Sequence, residues 1–144
     1  MEKICIKCFV EKPIEDFVSK PSRKGIASSS CKKCYYAYRK KYRSLPWVKT
    51  YGYILLRTKN KKHKCFKNYG AKGIKNFLGI NDLKYIWFRD KACKLKKPSI
   101  DRINRFGSYT LENCRYIEHS ENARIGNEQR RNDKKAVKNL KVRT

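Results

Sequence analysis

At 144 residues the chain has room for one ordinary domain or two small ones, and small domains seldom bury enough apolar surface to fold without a staple. Its 38 Lys and Arg stand against 12 Asp and Glu, a formal charge of +26, which opposes compaction and favours a place beside a polyanion. Such an excess counts against a merely soluble protein. The spread of cations along the chain, with no single basic amphipathic helix, counts against an anionic membrane surface. Nucleic acid is the expected partner, DNA first and RNA second; whether the protein works as monomer or dimer is left open.

No run of roughly 18 or more apolar residues occurs, and the start, Met1-Glu2-Lys3-Ile4-Cys5, lacks the apolar core of a signal peptide, so an intracellular protein is expected. In a reducing compartment seven cysteines read as metal ligands plus a remainder.

In chain order, residues 1–45 carry Cys5-x-x-Cys8 and Cys31-x-x-Cys34. Two intervening residues let one tight turn aim both sulfurs at a single ion, and two such pairs complete a tetrahedron around zinc with no open position. The expected ion is structural, contributing folding free energy. Phe17 and Tyr35 are the expected small core beneath it. A helix is expected over Tyr35 to Arg43, after the second pair.

Residues 46–77 contain nine Lys or Arg and no acid. Pro46 suits a first helical position, opening a helix to about Lys59. Lys59, Lys61, Lys62, Lys64, Lys67 and Lys72, with Tyr51, Tyr53 and Tyr69 among them, are candidate phosphate contacts. His63 in this run is read as meeting phosphate or solvent. Gly70 and Gly73 allow close backbone approach or positive φ.

Residues 78–130 hold the remaining motifs. Asn81 or Asp82 can cap a helix to about Cys93, with Leu83, Ile86, Trp87 and Ala92 on one face. Ser99 to Ile103 and Cys114 to Ile117 read as short strands around a turn at Gly107. Ser120 can cap a closing helix to about Arg130, with Glu121 at its positive end. Residues 131–144 form a basic tail, helical or disordered. Arg105, Arg115, Arg124, Arg130 and Arg131 extend the candidate phosphate contacts. Cys114 reads as a core thiol, and a second zinc site from His63, Cys65, Cys93 and Cys114 is an alternative with unpaired spacing.

Two resemblances attach to these motifs. The cysteine pairs with Lys12-Pro13-Ile14-Glu15-Asp16-Phe17 and Tyr38-Arg39-Lys40-Lys41-Tyr42 resemble the zinc element ahead of phage nuclease domains, including relatives of recombination endonuclease VII. Phe66 to Ile74, then Pro98 to Asn104 and Gly107 to Tyr116, are similar to a phage HNH (ββα-metal) homing-type endonuclease family that reads YGGRGI, then SLDRIDNxGxYxxxNCRW, then Gln or Asn in the closing helix. The resemblance implies an α+β fold: a small zinc-finger-like element, then a ββα-metal module with flanking helices. If the chain is phage-encoded, it implies the cytoplasm of an infected cell.

It also implies chemistry. Asp101 and Asn122, the latter nine positions after Asn113, would ligate magnesium or manganese, ions that prefer oxygen ligands. Asn113 would tie the hairpin turn. The family usually places a histidine after the acid, whereas this chain has Arg102, which cannot deprotonate water near neutral pH but can clamp a phosphate oxygen. Asn104 can orient a water, and His119 is the histidine nearest the motif. The expected activity is metal-dependent hydrolysis of DNA, nicking or cutting both strands. The alternative is a non-catalytic binder of DNA or RNA that retains the scaffold, and charge alone would also suit a basic ribonucleoprotein component. Taken without the resemblance, Asp101 also reads as an ion-pair partner for Arg102 or Arg115.

Overall fold

A computed structural model describes residues 1–19 and 27–142, with side-chain surroundings through residue 138. The last two residues of the basic tail lie outside the described residues. The chain is α+β and divides into two compact units, Met1–Pro46 and Trp47–Thr144.

The first unit is two small hairpins and a helix. Strands β1 (Glu2–Ile4) and β2 (Glu11–Pro13) pair antiparallel, as do β3 (Phe17–Ser19) and β4 (Ala27–Cys31). Helix α1 (Lys32–Ser44) starts three residues before the expected Tyr35, because Cys31 ends β4 in an extended conformation and the helix begins at the next residue. Among the described residues the buried apolar core here is Cys5, Phe17 and Cys31, flanked by Ala27 and Cys34. So small a described core offsets little chain entropy, which favours a staple.

The second unit has a larger core. Helix α2 (Pro46–Lys59) opens on proline, which needs no helical N–H partner there, and ends with Arg57 and Lys59 against the negative end of its dipole. Two single turns of 3-10 helix follow, Phe66–Asn68 and Gly70–Lys72. Helix α3 (Ile80–Arg89) is capped by Gly79, whose N–H donates to the Asp82 carboxylate at 2.7 Å. Asp82 thus acts from within the first turn, not as the cap itself. The helix stops four residues short of the expected Cys93, since Lys91 takes a left-handed φ of 51° and the chain turns into a 3-10 segment, Ala92–Lys94.

Strands β5 (Pro98–Arg102) and β6 (Cys114–Glu118) form an antiparallel hairpin with Asp101 opposite Arg115 and Arg102 opposite Cys114. Helix α4 (His119–Val142) begins one residue before the expected Ser120 and runs twelve residues past Arg130. Arg124 bridges Glu121 and Glu128 along one helix face, and Arg105 pairs with Asp133. These opposite-charge spacings support the helix where its apolar content is low.

Ile54 of α2, Ile74, Leu78, Leu83, Ile86 and Trp87 of α3, Ala92, Tyr109, Cys114 and Tyr116 close one core. Leu83 and Ile86 are wholly buried, each worth about 2 to 3 kcal/mol relative to exposure. The acid-free stretch thereby contributes packing as well as charge, through Ile54 and Ile74. Polar ties fix the hairpin within this unit. The Tyr116 hydroxyl bonds the Thr50 hydroxyl at 2.9 Å, the Tyr116 N–H donates to Asp90 at 2.7 Å, and Arg89 donates to the Cys114 carbonyl at 2.7 Å.

Candidate functional site

The four sulfurs of Cys5, Cys8, Cys31 and Cys34 lie within 4.8 Å of one another. Zinc at about 2.3 Å from each sulfur in a tetrahedron sets them roughly 3.8 Å apart, so the cluster fits a structural ion such as zinc. Local backbone builds each half. Cys5 leaves β1 into a turn closed by its N–H to the Val10 carbonyl at 3.1 Å and by the Phe9 N–H to its own carbonyl at 2.8 Å, with Phe9 at a left-handed φ of 57°. Cys31 ends β4 opposite Phe17, and Cys34 lies in the first turn of α1.

Backbone donors are already aimed at sulfur. The Cys31 and Lys7 amides reach the Cys5 Sγ at 3.2 and 3.4 Å. The Cys31 hydrogen bond, chiefly, holds the Cys5 thiol down at about 6, whereas sharing a hydrogen bond with Cys31 and then burial push Cys34 up to about 12. Four adjacent thiols cannot all ionise together without a cation among them. Phe17 lies beneath the cluster as expected. Tyr35 does not: it packs edge-on against Tyr36 at 5.5 Å with Arg39 over its ring, because one helical step rotates it about 100° away from Cys34.

The other cysteines form no second cluster. Among the described residues no further group of three metal-ligating side chains occurs; Cys93 is exposed, Cys65 half-buried and Cys114 buried in the core. Burial pushes the Cys114 thiol up to about 11, as befits an inert packing residue. His63 accepts a hydrogen bond from the Cys65 N–H at 3.3 Å, inside a turn.

The hairpin and α4 bring together some of the other singled-out residues. Asp101 is buried, and its Oδ2 accepts from Arg115 Nε at 2.9 Å. Asn122, on the first turn of α4, donates its amide to the Ser99 hydroxyl at 2.9 Å and to the Ile100 carbonyl at 3.2 Å. With both bonds made from nitrogen, the Asn122 carbonyl oxygen accepts from no described residue, and neither does Asp101 Oδ1.

Asn113 ties the intervening loop. Its Oδ1 accepts from the Asn104 N–H at 2.7 Å, and its Nδ2 donates to the Asn104 and Ser108 carbonyls at 3.1 and 2.8 Å. Asn104 meanwhile accepts from the Phe106 N–H at 3.0 Å. Its side chain is therefore committed to the turn. His119 is exposed at the start of α4, its N–H donating to the Lys97 carbonyl at 2.8 Å.

Arg102 goes elsewhere. Successive strand residues face opposite sides, so Arg102 leaves the Asp101 face and points toward the aromatic side of the unit. Its guanidinium carbon lies 4.9 Å from the Tyr69 ring centre and 5.1 Å from that of Tyr109, while Nη1 donates to the Gly107 carbonyl at 2.7 Å. Tyr69 and Tyr109 stack at 6.4 Å, and Arg57 lies 5.4 Å from the Tyr69 ring on α2. Burial alone would lower the Arg57 pKa, but the Tyr69 and Tyr109 phenols beside it outweigh that, and its net shift is upward.

Two glycines make this arrangement possible. A Cβ on Gly70 would lie 2.5 Å from the Thr58 carbonyl and 2.2 Å from Phe66, so Gly70 lets the Tyr69 segment seat directly on α2; Gly73 takes a φ of 78°. Sequence reasoning marked both glycines and placed Tyr109 within the family pattern without a role, and it missed Arg57, which has no motif spacing of its own.

Of the candidate phosphate contacts, Lys59, Lys61, Lys62, Lys64, Lys67, Lys72, Arg130 and Arg131 are exposed. Arg105, Arg115 and Arg124 are engaged with Asp133, Asp101 and Glu121 with Glu128, respectively. No described helix is long and apolar enough to cross a membrane. No protein-family model matches the chain, and no curated protein matches it.

Proposed function

We propose that the chain is a metal-dependent DNA endonuclease of the HNH type, anchored by a zinc-stapled element. The observation that carries this reading is a β5–β6 hairpin followed directly by α4, with Asp101 buried on β5 and Asn122 of α4 hydrogen-bonded to Ser99 and Ile100 of the same strand. A hairpin and a helix bonded back to its first strand is the arrangement a ββα-metal site needs. Its sequence frame, Ser99-Ile100-Asp101-Arg102-Ile103-Asn104 through Asn113-Cys114-Arg115, resembles that family.

A magnesium or manganese ion bound there would polarise the scissile phosphate and stabilise the leaving oxygen. The chain's own residues do the rest. Exposed lysines between Lys59 and Lys72, with exposed Arg130 and Arg131 of α4, draw in the DNA backbone, and a net charge of +26 favours encounter. Arg115 holds the Asp101 carboxylate in one orientation. His119 at the start of α4 is the histidine available to accept a proton from the attacking water.

Plasmid cleavage with magnesium or manganese tests the reading. Wild type should convert supercoiled DNA to nicked or linear product, and Asp101→Ala should not. Absence of cleavage by wild type, with DNA binding intact, would sink the enzyme reading.

One observation favours a second reading, a DNA-binding protein without catalysis. Arg102 occupies the position usual for the family's histidine and is engaged by Gly107, Tyr69 and Tyr109, so the strand supplies no base. Binding without cleavage in the same assay would support this reading.

A further inference from the structure

Arg57 and Arg102 present an unsolved charge problem. Both are half-buried, and both guanidiniums lie on the ring of Tyr69, at 5.4 and 4.9 Å. Among the described residues neither has a carboxylate within ion-pair distance. Asp101, the acid adjacent to Arg102 in sequence, faces the other side of the hairpin and pairs with Arg115. Two like charges on one aromatic ring, partly withdrawn from water, repel more strongly than they would at the surface. Favourable contact with the ring quadrupole offsets this only in part.

The donors are also mostly uncommitted. A guanidinium carries five N–H groups in a planar fork. Arg102 gives one nitrogen to the Gly107 carbonyl at 2.7 Å, and Arg57 is turned to the Tyr109 hydroxyl, which leaves most N–H groups of each fork uncommitted. The Tyr69 and Tyr109 rings, stacked at 6.4 Å, hold both side chains in place, so little freedom would be lost on binding. The segment bearing Tyr69 also bears exposed Lys67 and Lys72, which raises the local positive potential. A tetrahedral dianion or monoanion with several oxygens is the group that two such forks match.

We propose that Arg57 and Arg102, held on Tyr69, form a seat for one backbone phosphate of DNA, on the hairpin face opposite Asp101. The strand is thus gripped at a phosphate other than the one offered to Asp101, and Arg57 is a positioning residue. This rests on the nucleic-acid part of the proposed function.

The test is fluorescence anisotropy with a random-sequence DNA duplex of about 24 base pairs, titrated across salt for wild type, Arg57→Gln and Arg57→Lys, with thermal melts of each protein. Arg57→Gln should weaken binding roughly tenfold at moderate salt and reduce the slope of log affinity against log salt by about 1. Arg57→Lys should keep the slope and lose part of the affinity, since the charge stays and the fork goes. A purely structural arginine would lower the melting temperature without moving the slope, and that result overturns the proposal. Should Arg57→Gln not fold, unchanged affinity in Arg57→Lys overturns it instead. A steep wild-type slope with unaltered Arg57 variants sinks the seat alone, whereas a flat wild-type slope sinks the nucleic-acid reading with it.

Discussion

Asp101 and Arg115 face each other across the β5–β6 ladder, carboxylate to guanidinium at 2.9 Å, with the acid buried and the base about two-fifths exposed. The pair has a consequence for any ion at this corner: a divalent cation must share Asp101 with a cation already present. Arg115→Gln should therefore tighten manganese binding by roughly threefold to tenfold, read by titration calorimetry. Unchanged affinity would mean that the ion does not touch Asp101. Asp101→Ala should abolish manganese binding while costing only about 1 kcal/mol of stability, because the stranded guanidinium reaches water.

Zinc affinity should depend on pH in a stated direction. Without metal, Cys34 is held near 12 and keeps its proton at neutrality, while Cys5 at about 6 has already lost its own. Loading the ion must then expel the Cys34 proton, so between about pH 7 and 9 log apparent affinity should rise by at least about one per pH unit. Competition with a chromogenic chelator measures it. The sign for the thiols alone differs between the two. The lowered Cys5 stabilises the metal-free fold above its unfolded value of 9.0 and that contribution is lost as pH falls through about 6; the raised Cys34 stabilises below 9.0 and loses it toward about 12.

Gly70→Ala should be the costliest single-methyl change in the second unit. The added carbon meets the Thr58 carbonyl at 2.5 Å, a backbone atom that cannot swing aside, and the expected loss is about 2 to 3 kcal/mol in denaturant unfolding. Gly126→Ala is the contrast: it meets nothing within 4 Å inside α4, and should gain about 0.5 to 1 kcal/mol. Equal effects of the two would contradict the seating of the Tyr69 segment on α2.

Asn113→Ala removes three hydrogen bonds from one loop. At about 1 kcal/mol each the loss should reach about 2 to 3 kcal/mol. Amide exchange should accelerate at Asn104, whose N–H loses its acceptor, while the Leu83 amide in α3 stays protected. Uniform acceleration across both would argue that the loop has no local role.

Much of this was legible in the sequence where spacing carried the information. The two Cys-x-x-Cys pairs predicted a four-sulfur cluster, Pro46 marked the start of α2, and the Leu83, Ile86, Trp87 stripe predicted the buried face of α3. Local signals failed where tertiary contact decides. The end of α3 follows the left-handed Lys91, a conformation with no glycine or asparagine to announce it. The length of α4 rests on charge pairs to Glu121, Glu128 and Asp133 that a hydropathy reading does not weigh. Arg102 reads from sequence as a phosphate clamp standing where a histidine is usual, yet its surroundings come from Tyr69 and Tyr109, set by the packing of the 3-10 turns and the loop.

The loop that Asn113 ties does more than close a turn. Sliding β5 by one residue against β6 would turn Asp101 toward the stacked tyrosines and swing Arg102 toward α4, exchanging an anion for a cation at both places at once. The ladder length of five residue pairs offers little resistance to such a slip by itself. The three bonds of a single asparagine amide join the buried Cys114 and Tyr116 in keeping the polarity of the hairpin's two faces from inverting, so an insertion or deletion between Arg102 and Cys114 should be far less tolerable than most substitutions there.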